Sequence, residues 1–262
     1  MSIFIICLFL GAVVGVLAGM LGIGGGIVIV PVLLYLFTQE LMLPLSVAMP
    51  MAVATSLSTI ILTGMSSSRA HYRYGNLDMT IVKWCALGIS LGAVVGAQIA
   101  SQISGEALKN IFAYLLALIA LQMAFGGRRT SKHDMSPKIL TSIGFITGNI
   151  SAFMGIGGGA LMVPALVWFR VNVKLAIGCA AFCGLVIAVF GTASYIVAGW
   201  NQPELPSHAV GYVYLPATLG IILTSTFTAT LGARISNALD THLLKKIFAG
   251  FLVIVSLRML LG

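Results

Sequence analysis

Apolar runs separated by short polar or Gly/Pro gaps, ten of them in 262 residues, constrain this chain more than any motif does. They fall at 2–20, 27–37, 46–65, 79–100, 107–125, 139–154, 160–170, 175–198, 209–231 and 245–261. With 59% hydrophobic residues and only 8% charged, the sequence lies far from the roughly one-quarter charged content of soluble domains. Its mean hydropathy is +1.09. Exposed to water, such a chain would aggregate, so its solvent is the lipid bilayer. Residues 1–20 carry no basic n-region and read as a first membrane helix rather than a cleaved leader.

A helix needs about 20 residues to cross the hydrocarbon core. Segments 27–37 and 160–170 are too short for that, and both directly follow a glycine cluster. The two places are copies. Gly22-Ile23-Gly24-Gly25-Gly26 precedes Val30-Pro31, and 133 residues later Gly155-Ile156-Gly157-Gly158-Gly159 precedes Val163-Pro164. Gly11, Gly15 and Gly19 match Gly144, Gly148 and Ala152 at the same spacing. Further on, with the register shifted slightly, Gly96-Ala97-Gln98-Ile99 answers Gly232-Ala233-Arg234-Ile235, and Lys109 to Ala113 answers Lys245 to Ala249. The chain is a tandem duplication.

The net charge of +8 does not point to nucleic acid, which needs basic residues gathered on a polar face. Apart from Lys109 and Arg258, the basic residues sit in the gaps near 66–83, 126–138, 170–174 and 232–246. The alternate gaps hold Glu40, Glu106 and Glu204 and no Lys or Arg. The positive-inside rule makes the basic side cytoplasmic. Corresponding gaps of the two halves then carry opposite charge character, as five crossings per half require. The expected fold is an all-α polytopic membrane protein with two inverted-topology repeats of about five segments, a broken helical hairpin opening each. The expected divisions are 1–126, a cytoplasmic basic linker 127–138, and 139–262.

Consecutive glycines destabilise helix by about 1 kcal/mol each relative to alanine. The clusters Gly22, Gly24, Gly25, Gly26 and Gly155, Gly157, Gly158, Gly159 therefore read as breaks. Non-helical backbone at membrane depth persists only when buried in protein or lining a cavity. The helix restarting after each break presents free N–H groups and a positive dipole end, which suit an anion. A purely structural turn is the alternative. The clusters are not nucleotide loops, because neither spacing nor context matches. Thr55, Ser56, Ser58, Thr59 and Thr63, followed by Ser66, Ser67 and Ser68, offer hydroxyls that either contact an oxyanion or join helices. Cys183 and Ser194 stand roughly where Ser56 and Ser67 do in the first half, and Asn149 precedes the second break. The expected substrate-contacting set is the two glycine clusters with Thr55, Ser56, Ser67, Asn149 and Cys183.

Cys7, Cys85, Cys179 and Cys183 lie in apolar stretches without His or carboxylate neighbours in sequence, and read as small buried hydrophobes rather than metal or redox groups. No metal, cofactor or catalytic constellation is expected; His71, His133, His208 and His242 are scattered. Glu40, Asp78, Glu106, Asp134, Glu204 and Asp240 all fall in gaps or at helix ends, so no mid-membrane proton relay stands out. Export of an anion from a negative-inside cell gains about 2.3 kcal/mol per charge per 100 mV, enough to run without a coupling ion.

The paired Gly-Ile-Gly-Gly-Gly…Val-Pro blocks, Ala54-Thr55-Ser56-Leu57, the gap from His71 to Asp78 and the stretch from Gly211 to Pro216 give the chain its resemblance to the TauE/SafE family of sulfite exporter-like permeases, over nearly its whole length. The resemblance implies transport, usually export, of sulfur-containing anions such as sulfite, sulfoacetate or other sulfonates, across a bacterial or archaeal inner membrane. The second half departs from the pattern, with Ala181-Phe182-Cys183 in place of the Thr-Ser pair. An importer and a non-transporting membrane scaffold are the alternative readings.

Overall fold

The computed structural model describes residues 2–21, 25–125, 136–238, 250 and 252–260. The helices are α1 (Ser2–Leu21), α2 (Gly26–Gln39), α3 (Leu45–Arg73), α4 (Met79–Gln102), α5 (Gly105–Phe125), α6 (Pro137–Met154), α7 (Gly159–Trp168), α8 (Val173–Ala198) and α9 (Leu215–Ala238), with α10 at 252–260. Among the described residues, four helices are long and apolar enough to cross a membrane: α3, α4, α5 through Gln122, and α8. Among the described residues the fold is all-α except for a two-stranded hairpin, β1 (Ala209–Val210) with β2 (Val213–Tyr214), where the apolar sequence had suggested helix from 209.

Local chemistry sets the helix ends. Asp78 caps α4, its carboxylate accepting from the N–H of Thr80 at 2.8 Å and of Ile81 at 3.3 Å. Ser136 caps α6 with Pro137 in the first turn, and Asn172 caps α8 through the Lys174 N–H. Gly155 ends α6 in the left-handed conformation, φ +61°, which glycine adopts without a Cβ penalty.

Small residues determine which helices meet. On α4, a Cβ at Gly88, Gly92 or Gly96 would run into the α6 backbone at Thr141, Phe145 and Asn149 respectively; on α6, Gly144 and Gly148 abut Cys85 and Ile89. On α1, Gly11 and Gly15 meet Thr224 and Thr228 of α9 in the same manner. Both seams are backbone-to-backbone approaches of the small-xxx-small type. Each also carries a hydroxyl-to-carbonyl bond, Thr224 Oγ1 to Leu8 O at 2.7 Å and Thr141 Oγ1 to Trp84 O at 3.3 Å.

The contacts also fix relative direction. Residue numbers rise together along α1 and α9, and along α4 and α6, so each pair is parallel. Along α3 and α8 they run oppositely. Gly191 faces Leu57, whereas Gly64 faces Leu185, with a Cβ on Gly64 only 3.3 Å from the Leu185 Cα, so these central helices are antiparallel. Gln98 of α4 bonds Ser194 of α8 at 3.1 Å, and Ser58 of α3 meets Thr218 of α9 at 2.7 Å. The halves are interwoven, each contributing a helix to both glycine seams.

Candidate functional site

The second break is the best described. Between α6 and α7, residues 155–158 are non-helical and buried. The first helical bond of α7 runs from Met162 N–H to Gly158 O at 2.8 Å, so the N–H groups of Gly159, Ala160 and Leu161 precede the ladder. In the first break, Gly22, Ile23 and Gly24 lie outside the described residues. Its last two members are placed: Gly25 O accepts from Val28 and Ile29 N–H at 3.1 Å, leaving the N–H groups of Gly26 and Ile27 ahead of the ladder of α2.

The two breaks meet. A Cβ on Gly26 would fall on the Gly155 carbonyl and 3.0 Å from Ser56 Oγ. Ser56, fully buried on α3, donates to that same carbonyl at 2.7 Å. A Cβ on Gly157 would lie 3.3 Å from Ile60 of α3, and one on Gly158 would lie 3.0 Å from Ile187 and 3.3 Å from the Gly184 nitrogen of α8. The second break is thus held between α3 and α8, with the start of α2 against it. α7, ten residues long, carries Pro164 at its sixth position, just as α2 carries Pro31 at its sixth.

The hydroxyl stripe has specific partners. Thr59 donates to Ser56 O at 2.7 Å, and Ser58 reaches Thr55 O and Thr218 Oγ1, each at 2.7 Å. Thr55 Oγ1 accepts from the N–H of Tyr214 at 3.0 Å, which pins the β1–β2 hairpin to the middle of α3; its own proton has no acceptor among the described residues. Gly211, at φ +53°, lets the hairpin turn close against Ile196. Ser151 lies directly under the second break, its carbonyl accepting from Gly155 and Ile156 N–H while its own buried Oγ has no partner among the described residues. Sequence reasoning passed over Ser151, although its position four residues before Gly155 marks it.

The other expected residues are spread out. Ser67 is exposed near the end of α3, eleven residues beyond Ser56 and so roughly 16 Å along the helix. Asn149 is half-buried, its backbone against Gly92 and Gly96 in the α4–α6 seam. Cys183 is fully buried next to Gly184, with Cys85 of α4 as a neighbour, while Cys179 accepts from the Asp78 N–H at 3.4 Å. Tyrosines and cysteines apart, the buried polar side chains described are all Ser or Thr, with no buried Lys, Arg, Asp or Glu. Among the described residues no three His, Cys, Asp or Glu gather as metal ligands.

Apolar spanning helices and glycine seams define a multi-pass α-helical membrane protein, and its relatives are membrane transporters. The chain belongs to the family described as sulfite exporter TauE/SafE, whose model matches residues 7–259. It is 40% identical over 259 residues to a probable membrane transporter protein of Haemophilus influenzae, covering 98% of each chain. It is 27% identical to the probable membrane transporter protein YunE of Bacillus subtilis, covering 98% of this chain and 97% of the relative. A probable membrane transporter protein of Methanocaldococcus jannaschii is 26% identical, with 97% and 94% covered. No solved structure matches the chain.

Proposed function

We propose that the protein moves a small sulfur-containing anion, such as sulfite, sulfoacetate or another organosulfonate, across the cell membrane by alternating access, with export as the direction. Two inverted repeats, 1–126 and 139–262 joined by the basic stretch 127–138, form the transporting unit. The antiparallel run of α3 and α8 and the parallel pairs α1–α9 and α4–α6 support that arrangement. Passed from pair to pair through Thr55–Tyr214 with Ser58–Thr218 and Asp78–Cys179 with Gln98–Ser194, these directions support α1 running against α6 and α4 against α9.

The observation carrying the reading is the meeting of the two breaks beside Ser56, with the leading amides of α2 and α7 in a buried region whose polar side chains are neutral. Such amides attract negative charge without a basic side chain. Thr55 and Ser151 add hydroxyls whose protons have no acceptor among the described residues, Ser56 holds Gly155 O in place, and Cys183 borders the same break through Gly184. Neutral donors hold an anion more loosely than paired arginines do, which suits a site that must also release it.

Purified protein in proteoliposomes, preloaded with unlabelled sulfite, is expected to accumulate radiolabelled sulfite by counterflow and to respond to an imposed membrane potential. Gly158→Leu is expected to abolish counterflow while the protein remains monodisperse. Persistent transport in a well-folded Gly158→Leu protein would remove the break from the site. Counterflow with sulfoacetate but not sulfite would shift the substrate within the class.

A further inference from the structure

We propose that the mouth of the α4–α6 seam is a binding site for one anionic phospholipid, whose acyl chain lies in the groove between the helices and whose phosphate meets Lys138 and Lys83. The groove measures about 780 Å³ and is walled by Leu91, Gly88, Phe145 and Ile146, with Trp84 and Lys138 at one end. That volume falls within the roughly 300–1,000 Å³ of small-molecule clefts. Lys83 lies over the Trp84 ring at 5.4 Å, so its charge is held at the groove rim instead of pointing away. Both lysines are exposed, and neither has a carboxylate partner among the described residues. The nearest acid along α4, Asp78, is engaged in capping the helix.

The repeat supplies an internal control. The spacings that relate the halves place Ile5 opposite Lys138, Leu219 opposite Lys83 and Gly220 opposite Trp84 in the α1–α9 seam. That seam packs by the same glycine contacts with no charge at the positions matching the lysines, so packing does not require them. They stand only at the end of the molecule that also carries the basic gaps, where the leaflet is anionic and a Trp suits the interface. Apolar walls ending in two lysines and an aromatic match a phospholipid with a negative headgroup better than a soluble phosphate, which has no use for the walls.

The test uses the full-length protein with Trp168→Phe and Trp200→Phe, both replaceable because these rings are largely exposed, leaving Trp84 as the reporter. Quenching by brominated phosphatidylglycerol is compared with quenching by brominated phosphatidylcholine in reconstituted vesicles. Phosphatidylglycerol is expected to be preferred at Trp84, with roughly five-fold lost for each of Lys83→Gln and Lys138→Gln, and retained in the Arg variants. A second protein, Phe9→Trp with Trp84→Phe, reports the α1–α9 seam and is expected to show no preference. Equal quenching by both lipids, a preference surviving the double Gln variant, the same preference at Phe9→Trp, or displacement by inorganic phosphate at constant ionic strength would each overturn the proposal.

Discussion

α3 and α8 occupy corresponding places in the two halves, and both flank the second break, yet they hold it by different chemistry. α3 reaches it with a hydroxyl, Ser56 to Gly155 O at 2.7 Å, and catches the β1–β2 hairpin with another, Thr55 from Tyr214 N–H at 3.0 Å. α8 offers Gly184 as a bare backbone against Gly158, and its catch for the opposite loop is a thiol, Cys179 from Asp78 N–H at 3.4 Å. Parting α3 from residues 155–158 breaks a buried hydrogen bond; parting α8 from them breaks none among the described residues. Against residues 155–158 one wall is hydroxylated and the other smooth; the buried hydroxyl of α8, Tyr195, bonds Ala152 O, just before the break, at 3.1 Å. The smooth wall separates from residues 155–158 at lower cost, which suits the alternating access proposed above.

The sharpest way to break the comparison is to add one methyl group on each side of it. Gly155→Ala places a Cβ at φ +61°, 3.0 Å from Val53 O and 2.9 Å from a Val30 methyl. The left-handed backbone costs about 1–2 kcal/mol, and overpacking adds typically 1–3 kcal/mol. Gly184→Ala has helical backbone and a closest approach of 3.1 Å, to the Gly158 nitrogen. Its expected cost is about 1 kcal/mol at most. Melting followed by size-exclusion in detergent should place Gly155→Ala well below Gly184→Ala. Equal melting temperatures would mean that both walls are equally tight.

The two loop catches come next. Thr55→Val keeps the shape but leaves a buried Tyr214 N–H unsatisfied, which costs about 1–3 kcal/mol. Cys179→Ala removes a weak sulfur acceptor from a half-buried N–H, and the expected loss is under about 1 kcal/mol. Hydrogen exchange at Tyr214 and Asp78 reads the two catches directly: faster exchange is expected at Tyr214 in Thr55→Val, with little change at Asp78 in Cys179→Ala.

How far these features can be read from sequence depends on the range of the interaction behind them. The breaks are local: five residues with four glycines cannot hold a helix economically, and the same run 133 residues later shows it is no accident. The seams are half-legible. Gly88, Gly92 and Gly96 announce a close partner by their four-residue spacing, but nothing in α4 says that the partner is α6. The β1–β2 hairpin was invisible because Ala209 to Tyr214 is as apolar as a helix start, and what makes it a hairpin is Gly211 against Ile196 and a threonine hydroxyl from the other half. Cys179 and Cys183 read correctly as buried, but their company with Cys85 did not show, since it rests on α4 lying beside α8. The hydroxyl stripe left two readings open, and the partners of Ser56, Ser58 and Thr59 are carbonyls and hydroxyls of other helices or of their own turn.

Exchanging the groups themselves gives the smallest effect and the finest test. Cys183→Ser puts a hydroxyl beside the thiols of Cys85 and Cys179, which are weak acceptors, but a helical serine satisfies itself by bonding back to the carbonyl one turn earlier. Ser56→Cys replaces a short donor to Gly155 O by a weak S–H on a larger atom, beside Gly26, where an added Cβ would lie only 3.0 Å from the present Ser56 Oγ. The expected costs are about 0.5 kcal/mol or less for the first and about 0.5–1.5 kcal/mol for the second. The double exchange should simply add, because the two sites share no hydrogen-bond partner. A double variant more stable than Ser56→Cys alone would mean that the smooth wall accepts the role of the hydroxylated one, and the asymmetry assigned here to α3 and α8 would be a matter of composition rather than of mechanism.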